Sequence, residues 1–209
     1  MFYFLCFVLN HRHQNRSILA HYGAKFDSIV VCEFLLLMDI APEVLPLGEG
    51  FLQVCVPEYS LTFLDSFRYF GQKLSTLPSR FGLEKEAIKG FFPHKYNQPQ
   101  NWDRIRTQPP PLEDYIMEND SCKDREEKTH WWKTIKSTEP HFDLNRDCLL
   151  YVKMDVHILM ASCCKFLKQT FEFNAQMAER FGISSTFKPS LQPHFHPFSK
   201  GIPTLGAFS

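Results

Sequence analysis

This sequence lacks a net charge: 23 Lys and Arg balance 23 Asp and Glu across 209 residues, so no global field draws the chain to nucleic acid or anionic lipid. Any nucleic-acid site has to be local. It also lacks a CxxC pair. Its seven cysteines, an odd number with Cys163 and Cys164 adjacent, make neither a zinc knuckle nor a paired disulfide framework, and read as reduced thiols of a cytosolic or nuclear protein. No glycine-rich phosphate loop of the Walker or dinucleotide kind occurs, and there is no internal repeat or heptad array. Long apolar runs are missing too. The apolar start from Met1 to Leu9 is too short to span a bilayer and meets His11-Arg12-His13 without a small-residue cleavage site, so neither a membrane partner nor a signal peptide is expected.

What is present, 44% hydrophobic and 22% charged residues, is the profile of a soluble globular chain. Its length suits one domain or slightly more, burying roughly 70% of the surface exposed when unfolded. Ser17 to Ala20 reads as a short strand. Ile29, Val30, Glu33, Phe34, Leu37 and Met38 follow at helical spacing up to Ala41-Pro42. Three β-rich runs near residues 44–47, 51–56 and 60–64, separated by Gly48-Glu49-Gly50 and Pro57-Glu58, predict an antiparallel meander. Lys73 to Gly82 suits a short helix or turn, and Cys122 to Lys136 an amphipathic helix. From Leu144 to Phe173 the residues Leu149, Val152, Val156, Leu159, Cys163 and Phe166 predict one continuous apolar stripe on a long helix.

Three carboxylates draw attention. Asp155 stands four residues after Tyr151, about 40° away around the helix, with both at the margin of the stripe. A carboxylate there faces the edge of the core; the plain alternative is a half-exposed Asp beside a packed Tyr. Asp27 follows the loop His21-Tyr22-Gly23-Ala24-Lys25 at the start of a helix, where it could equally be an ordinary N-cap. Asp65 closes an apolar strand, and a lone Asp there is weakly informative. His11-x-His13 and His194-x-His196 lack a nearby Cys or carboxylate partner, and Cys163-Cys164 suits a core rather than a nucleophile.

Taken in order, these segments carry a resemblance. Ala20-His21-Tyr22-Gly23-Ala24-Lys25-Phe26-Asp27 resembles the second exonuclease motif of family B DNA polymerases, AHNxxxFD. Phe63-Leu64-Asp65-Ser66-Phe67, the stretch Leu74 to Pro78 with Phe81-Gly82-Leu83, and Lys89-Gly90-Phe91-Phe92-Pro93-His94 look like successive signatures of the protein-primed branch, found in organellar, viral and mobile-element polymerases. Tyr151-Val152-Lys153-Met154-Asp155 resembles the third exonuclease motif, YxxxD. The resemblance covers about residues 17–173.

It implies an α/β fold, a ribonuclease-H-like 3′–5′ exonuclease domain with a mixed sheet flanked by helices. That domain would occupy residues 1–175, with a proline-bearing surface insertion near 98–121 and a loosely ordered tail at 176–209. By the same resemblance, Asp27 and Asp155 are metal-site carboxylates for Mg²⁺ or Mn²⁺, hard ions that prefer oxygen and clamp the attacking and leaving oxygens of an in-line displacement. Tyr151 orients the attacking water. Phe26, Ser66 and Phe67 touch a frayed single strand, Lys89 sits near a phosphate, and Phe92 is the apolar partner in the Lys89 loop. The implied partners are the 3′ end of single-stranded or primer-template DNA and a terminal priming protein.

The sequence departs from the pattern in three places. The family's first exonuclease motif, DxE on an early strand, has no counterpart, because Asp27 is the first acidic residue of the chain. Two remaining carboxylates bind metal weakly, so the expectation is a domain without its N-terminal strand and with little or no exonuclease activity alone. Tyr22 replaces an Asn that hydrogen-bonds the strand, leaving an aromatic ring that could stack on a base instead. No YxDTD or SLYP-like palm motif follows Phe173. A non-catalytic single-strand-binding remnant of a mobile-element polymerase is the alternative. A nuclear location would follow from a eukaryotic mobile element, a cytoplasmic or mitochondrial one from a virus or plasmid.

Overall fold

The computed structural model describes residues 1–83, 90–138 and 141–181. In chain order its elements are helix α1 (Phe2–Val8), strand β1 (Ser17–Ala20), helix α2 (Asp27–Leu37), and strands β2 (Glu43–Leu47), β3 (Gly50–Val56) and β4 (Leu61–Asp65). Then come the short helices α3 (Phe67–Phe70) and α4 (Leu77–Phe81), strand β5 (Ile105–Arg106), helix α5 (Cys122–Thr138), strand β6 (Phe142–Asp143) and helix α6 (Leu144–Arg180). The fold is α/β with a mixed sheet and helices. It divides into two units, residues 1–76 with 163–209, and residues 77–162. Most of the stretch expected as a tail, residues 182–209, lies outside the described residues.

The first unit is built on a four-stranded sheet of order β1-β4-β3-β2. The meander expected from the turn residues is present, with β2 antiparallel to β3 and β3 to β4. β1 joins parallel to β4. Every residue of β4 is buried, as suits the apolar run Leu61-Thr62-Phe63-Leu64 in a strand paired on both sides. β2 is exposed throughout and bulged between Leu45 and Pro46; a proline without an N–H belongs on such an edge.

In its first turns helix α2 carries β-branched Ile29-Val30-Val31, which favour strands. Packing overrides that preference. Val31 and Leu35, four residues apart and so on one face, bury against Val54 and Val56 of β3 and Phe63 of β4, with Leu5 and Val8 of α1 in the same cluster. Each such aliphatic side chain contributes about 1.5–3 kcal/mol. The helix ends in a Schellman turn: Asp39 takes φ 60°, and the N–H groups of Asp39 and Ile40 donate to the carbonyls of Leu36 and Leu35 at 3.0 and 2.9 Å.

The second unit is aromatic. Phe92, Tyr96, Phe142 and Leu144 form its buried cluster, with Cys148 and Tyr151 packed against it. Pro110 and Tyr115 of the proline-bearing stretch are buried. They are tied to α5 by Trp132 Nε1–H donating to the Pro110 carbonyl at 2.8 Å and Lys128 Nζ to the Tyr115 carbonyl at 2.9 Å.

On α6 the structure corrects the first half of the expected stripe; in its second half Cys163 is buried and Leu159 and Phe166 are half-buried. Leu149, Val152 and Val156 are exposed, while Leu144, Ile158 and Ser162 are buried, with Cys148, Tyr151 and Asp155 half-buried along the same face. That face lies about a quarter turn from the apolar stripe. The aromatic cluster selects it, because Phe92 and Phe142 pack onto Cys148 and Tyr151. Tyr151 and Asp155 therefore stand on the middle of the buried face rather than at its margin. Among the described residues, no helix is long and apolar enough to cross a membrane.

Cys163 is buried and Cys164 exposed. Burial, and then the neighbouring Cys164, push the Cys163 thiol up to about 12. Since the thiolate is the nucleophile, a thiol reagent at pH 8 is expected to label Cys6, Cys122 and Cys164, all exposed, and to reach Cys163 only in denaturant. Mass spectrometry of modified peptides checks this, and native labelling of Cys163 would contradict it.

Candidate functional site

Parallel pairing in register builds the site. Ala20 stands opposite Asp65, so the turns leaving the carboxyl ends of β1 and β4 emerge side by side, the position where open α/β sheets commonly bind ligands. Asp65, 5% exposed, joins them. Its Oδ1 accepts from the backbone N–H of Tyr22 at 2.9 Å and of Phe67 at 2.9 Å, and its Oδ2 accepts from the N–H of Ala24 at 3.3 Å. The Phe67 bond is an Asx turn that starts α3; the other two reach across to the turn after β1.

That turn is tight. Tyr22 adopts φ 63° and ψ 19°, left-handed backbone that a ring-bearing residue seldom takes. Its ring stacks on Phe67, with centroids 4.1 Å apart and planes 25° from parallel. Gly50 of β3 passes under the turn so closely that a Cβ there would lie 1.9 Å from the Ala24 carbonyl oxygen. A Cβ on Gly23 would meet Ala20 Cβ at 2.6 Å and Asp27 Oδ2 at 3.5 Å.

Asp27 is the first residue of α2 and does not cap it; Phe26 takes the N-cap position without a side-chain bond. Phe26 is 68% exposed. Among the described residues the Asp27 carboxylate has no hydrogen-bond partner, and it borders a cavity of about 30 Å³ with Ala20, Gly23, Ser28 and Asp65. That is room for one water or ion.

The second unit holds the other motif. Tyr151 stacks on Phe92, 5.3 Å between centroids and 30° from parallel, with His94 edge-on at 5.8 Å. Tyr151 also borders a cavity of about 280 Å³ with Phe91, Tyr115 and Trp131. Asp155 follows one turn later, half-buried. Lys89 lies outside the described residues.

Three N–H groups already occupy the Asp65 carboxylate, leaving Asp27 as the oxygen donor at the cavity. Among the described residues no group of three or more His, Cys, Asp or Glu is placed to hold a metal ion. These residues do not form a divalent-cation cage by themselves.

A family model described as DNA polymerase type B, organellar and viral, matches residues 9–204. The chain belongs to that family. Membership ties it to DNA polymerisation and DNA replication in general. No curated protein and no solved structure matches the chain.

In this type B polymerase chain, the residues singled out by sequence fall into two sets. Tyr22, Phe26, Asp27, Ser66 and Phe67 lie at one end of the first unit's sheet, while Phe92, Tyr151 and Asp155 lie in the second unit. Sequence reasoning passed over two residues that build the first set. Asp65, read as a weak signal, is the clamp; its position two residues before Phe67, in Asx-turn spacing, was the available sign. Gly50, read only as turn chemistry, is required by the approach of the Ala24 carbonyl, which no local pattern announces.

Proposed function

We propose that this chain is the ribonuclease-H-like 3′–5′ exonuclease part of a protein-primed DNA polymerase, and that the carboxyl ends of β1 and β4 receive a single-stranded 3′ end. The observation that carries the reading is the Asp65 clamp. It holds the turns that carry Tyr22 and Phe67, whose rings stack, and it shares with Asp27 the lining of the small cavity, so an aromatic platform for bases and a carboxylate at a helix start are tied to the same strand ends. In this reading Phe26 and Phe67 stack on bases, Ser66 hydrogen-bonds the strand, and Lys89, with Phe92 as its loop's apolar partner, meets a phosphate. Asp27 and Asp155 would be weak metal donors, each from its own motif and neither sufficient alone, and Tyr151 would orient water. Bound Mg²⁺ or Mn²⁺ would supply charge stabilisation to phosphodiester hydrolysis. Primer-template DNA and a terminal priming protein are the proposed partners.

Because one open carboxylate borders the cavity in the first unit, the chain alone is expected to bind strands far better than it cuts them. The same point favours the second reading, a strand-binding module without catalysis. A 3′-labelled single-stranded oligonucleotide is incubated with the wild-type chain in Mn²⁺, beside Asp155→Ala, and binding is measured with and without EDTA. The expected result is no degradation by either protein, with salt-dependent binding that EDTA leaves unchanged. Phe67→Ala is expected to weaken binding about 5- to 150-fold, the equivalent of one lost base stack of about 1–3 kcal/mol. Degradation by wild type that Asp155→Ala abolishes would restore full exonuclease function to the chain; absence of binding would remove both readings.

A further inference from the structure

Ser66 has one hydroxyl proton and two neighbours that compete for it. Its Oγ lies 2.8 Å from the carbonyl oxygen of Ala20 and 2.9 Å from Nδ1 of His21. The other ring nitrogen of His21, Nε2, lies 3.0 Å from the carbonyl oxygen of Gln72. A carbonyl only accepts, so Nε2 carries a proton. The Ser66 hydroxyl donates to the Ala20 carbonyl and has no second proton to give. With the hydroxyl turned to that carbonyl, which also accepts the Ser66 N–H at 2.8 Å, Nδ1–H is the donor to Oγ. A neutral ring can serve only two of these three contacts, leaving a pair of acceptors facing each other at hydrogen-bond distance. Only a doubly protonated ring serves all three contacts at once: Ser66 is fully buried, so water can relieve a neutral ring only at the exposed Gln72 contact.

We infer that His21 is held as an imidazolium, and that this cation is a positioning residue for the aromatic platform. Nδ1–H fixes Ser66 and Nε2–H fixes Gln72, the residues on either side of α3. The cation therefore holds the helix that aims Phe67 at Tyr22. The His21 ring itself meets Tyr22 and Phe67 edge-on, 5.2 and 5.9 Å between centroids. Charged and titratable groups on the surrounding elements act in both directions. Asp65 at the end of β4 bonds the N–H groups that follow both His21 and Ser66, and favours the cation. Asp27 at the start of α2 does the same more weakly. Lys25 in the same turn, Arg68 on α3, Lys73 after Gln72, and Lys165 and Lys168 on α6, which reaches α3 through Phe166 against Phe70, oppose it. Burial pushes the Tyr69 hydroxyl up, so that ring stays neutral. Hydrogen bonds from both ring nitrogens to fixed acceptors decide for the charged form.

The sign follows directly. A folded-state His21 that titrates above the unfolded value of about 6.5 stabilises the fold fully below that value, and the contribution disappears as pH rises through the folded value. If the strand-binding reading holds, on which this part rests, strand affinity falls over the same range. The test is a pH titration of the ¹⁵N-histidine-labelled full chain by NMR, with His21→Gln to assign the signal. Expected at pH 7 are two protonated ring nitrogens, with a midpoint above those of exposed His130 and His141. Ser66→Ala should move that midpoint down by about one unit, the equivalent of one charge-assisted bond. Oligonucleotide affinity should lose its dependence on pH in His21→Gln. A midpoint at or below those of the exposed histidines overturns the inference. A charged His21 in a chain that binds no strand sustains the imidazolium and removes the strand reading alone.

Discussion

Asp65→Ala is expected to lower the folding free energy by about 3–5 kcal/mol. Three backbone N–H groups, those of Tyr22, Ala24 and Phe67, lose their acceptor at once, the Ala24 bond buried and the other two part-buried; a fully buried donor left unmade costs about 1–3 kcal/mol and a part-buried one less. Against a total stability of about 5–15 kcal/mol, that is the difference between a folded chain and one that is marginal at 37 °C. Asp65→Asn should fall between. Its carbonyl oxygen can keep the two bonds now made by Oδ1, while its NH₂ group would face the Ala24 N–H, donor against donor. Urea unfolding gives the measure, as a lower midpoint with an unchanged slope. An alanine variant with the wild-type midpoint would show that the clamp holds nothing, and the account of how the two turns are joined would fail with it.

Gly50→Ala is the second large effect. The new methyl would lie 1.9 Å from the Ala24 carbonyl oxygen and 2.7 Å from the carbonyl carbon. Both are backbone atoms, so no rotamer change can make room. Either β3 or the turn of residues 23–25 has to move, at a cost of about 3 kcal/mol, the upper end of overpacking penalties. Such a movement pulls the Ala24 N–H off Asp65, so the loss reaches beyond β3. Thermal unfolding should show a drop of roughly 5–10 °C in Tm. Gly48→Ala serves as the control: that glycine has φ 58° and open space around it, so it carries backbone strain without a clash, and its loss should be smaller.

Much of the fold was legible because its signals are local. The strand at residues 17–20, the helix after Asp27 and the meander up to Asp65 follow from periodicity and turn residues, and the structure places them within a few residues of the expected limits. The long helix was legible as a helix but not in its orientation. Its apolar stripe at Leu149, Val152 and Val156 is the stronger periodic signal, yet the buried face is chosen by Phe92 and Phe142, which are distant in sequence. Periodicity tells which residues share a face; it cannot tell which face finds a partner. The site shows the same division. The order of motifs pointed to Tyr22, Asp27, Ser66 and Phe67, but the bonds that gather them run from residue 65 to residues 22 and 24, and pairing across such a gap leaves no mark in a single sequence.

Tyr22 has one more consequence. Its φ of 63° costs a residue with a Cβ about 1–2 kcal/mol, a penalty that asparagine and glycine largely escape. The asparagine of the exonuclease motif that this segment resembles would suit the turn as well as a ligand. With tyrosine here the loop gives up conformational ease for ring area. Tyr22→Asn would relax the backbone and, in the same step, strip Phe67 of the surface it lies against.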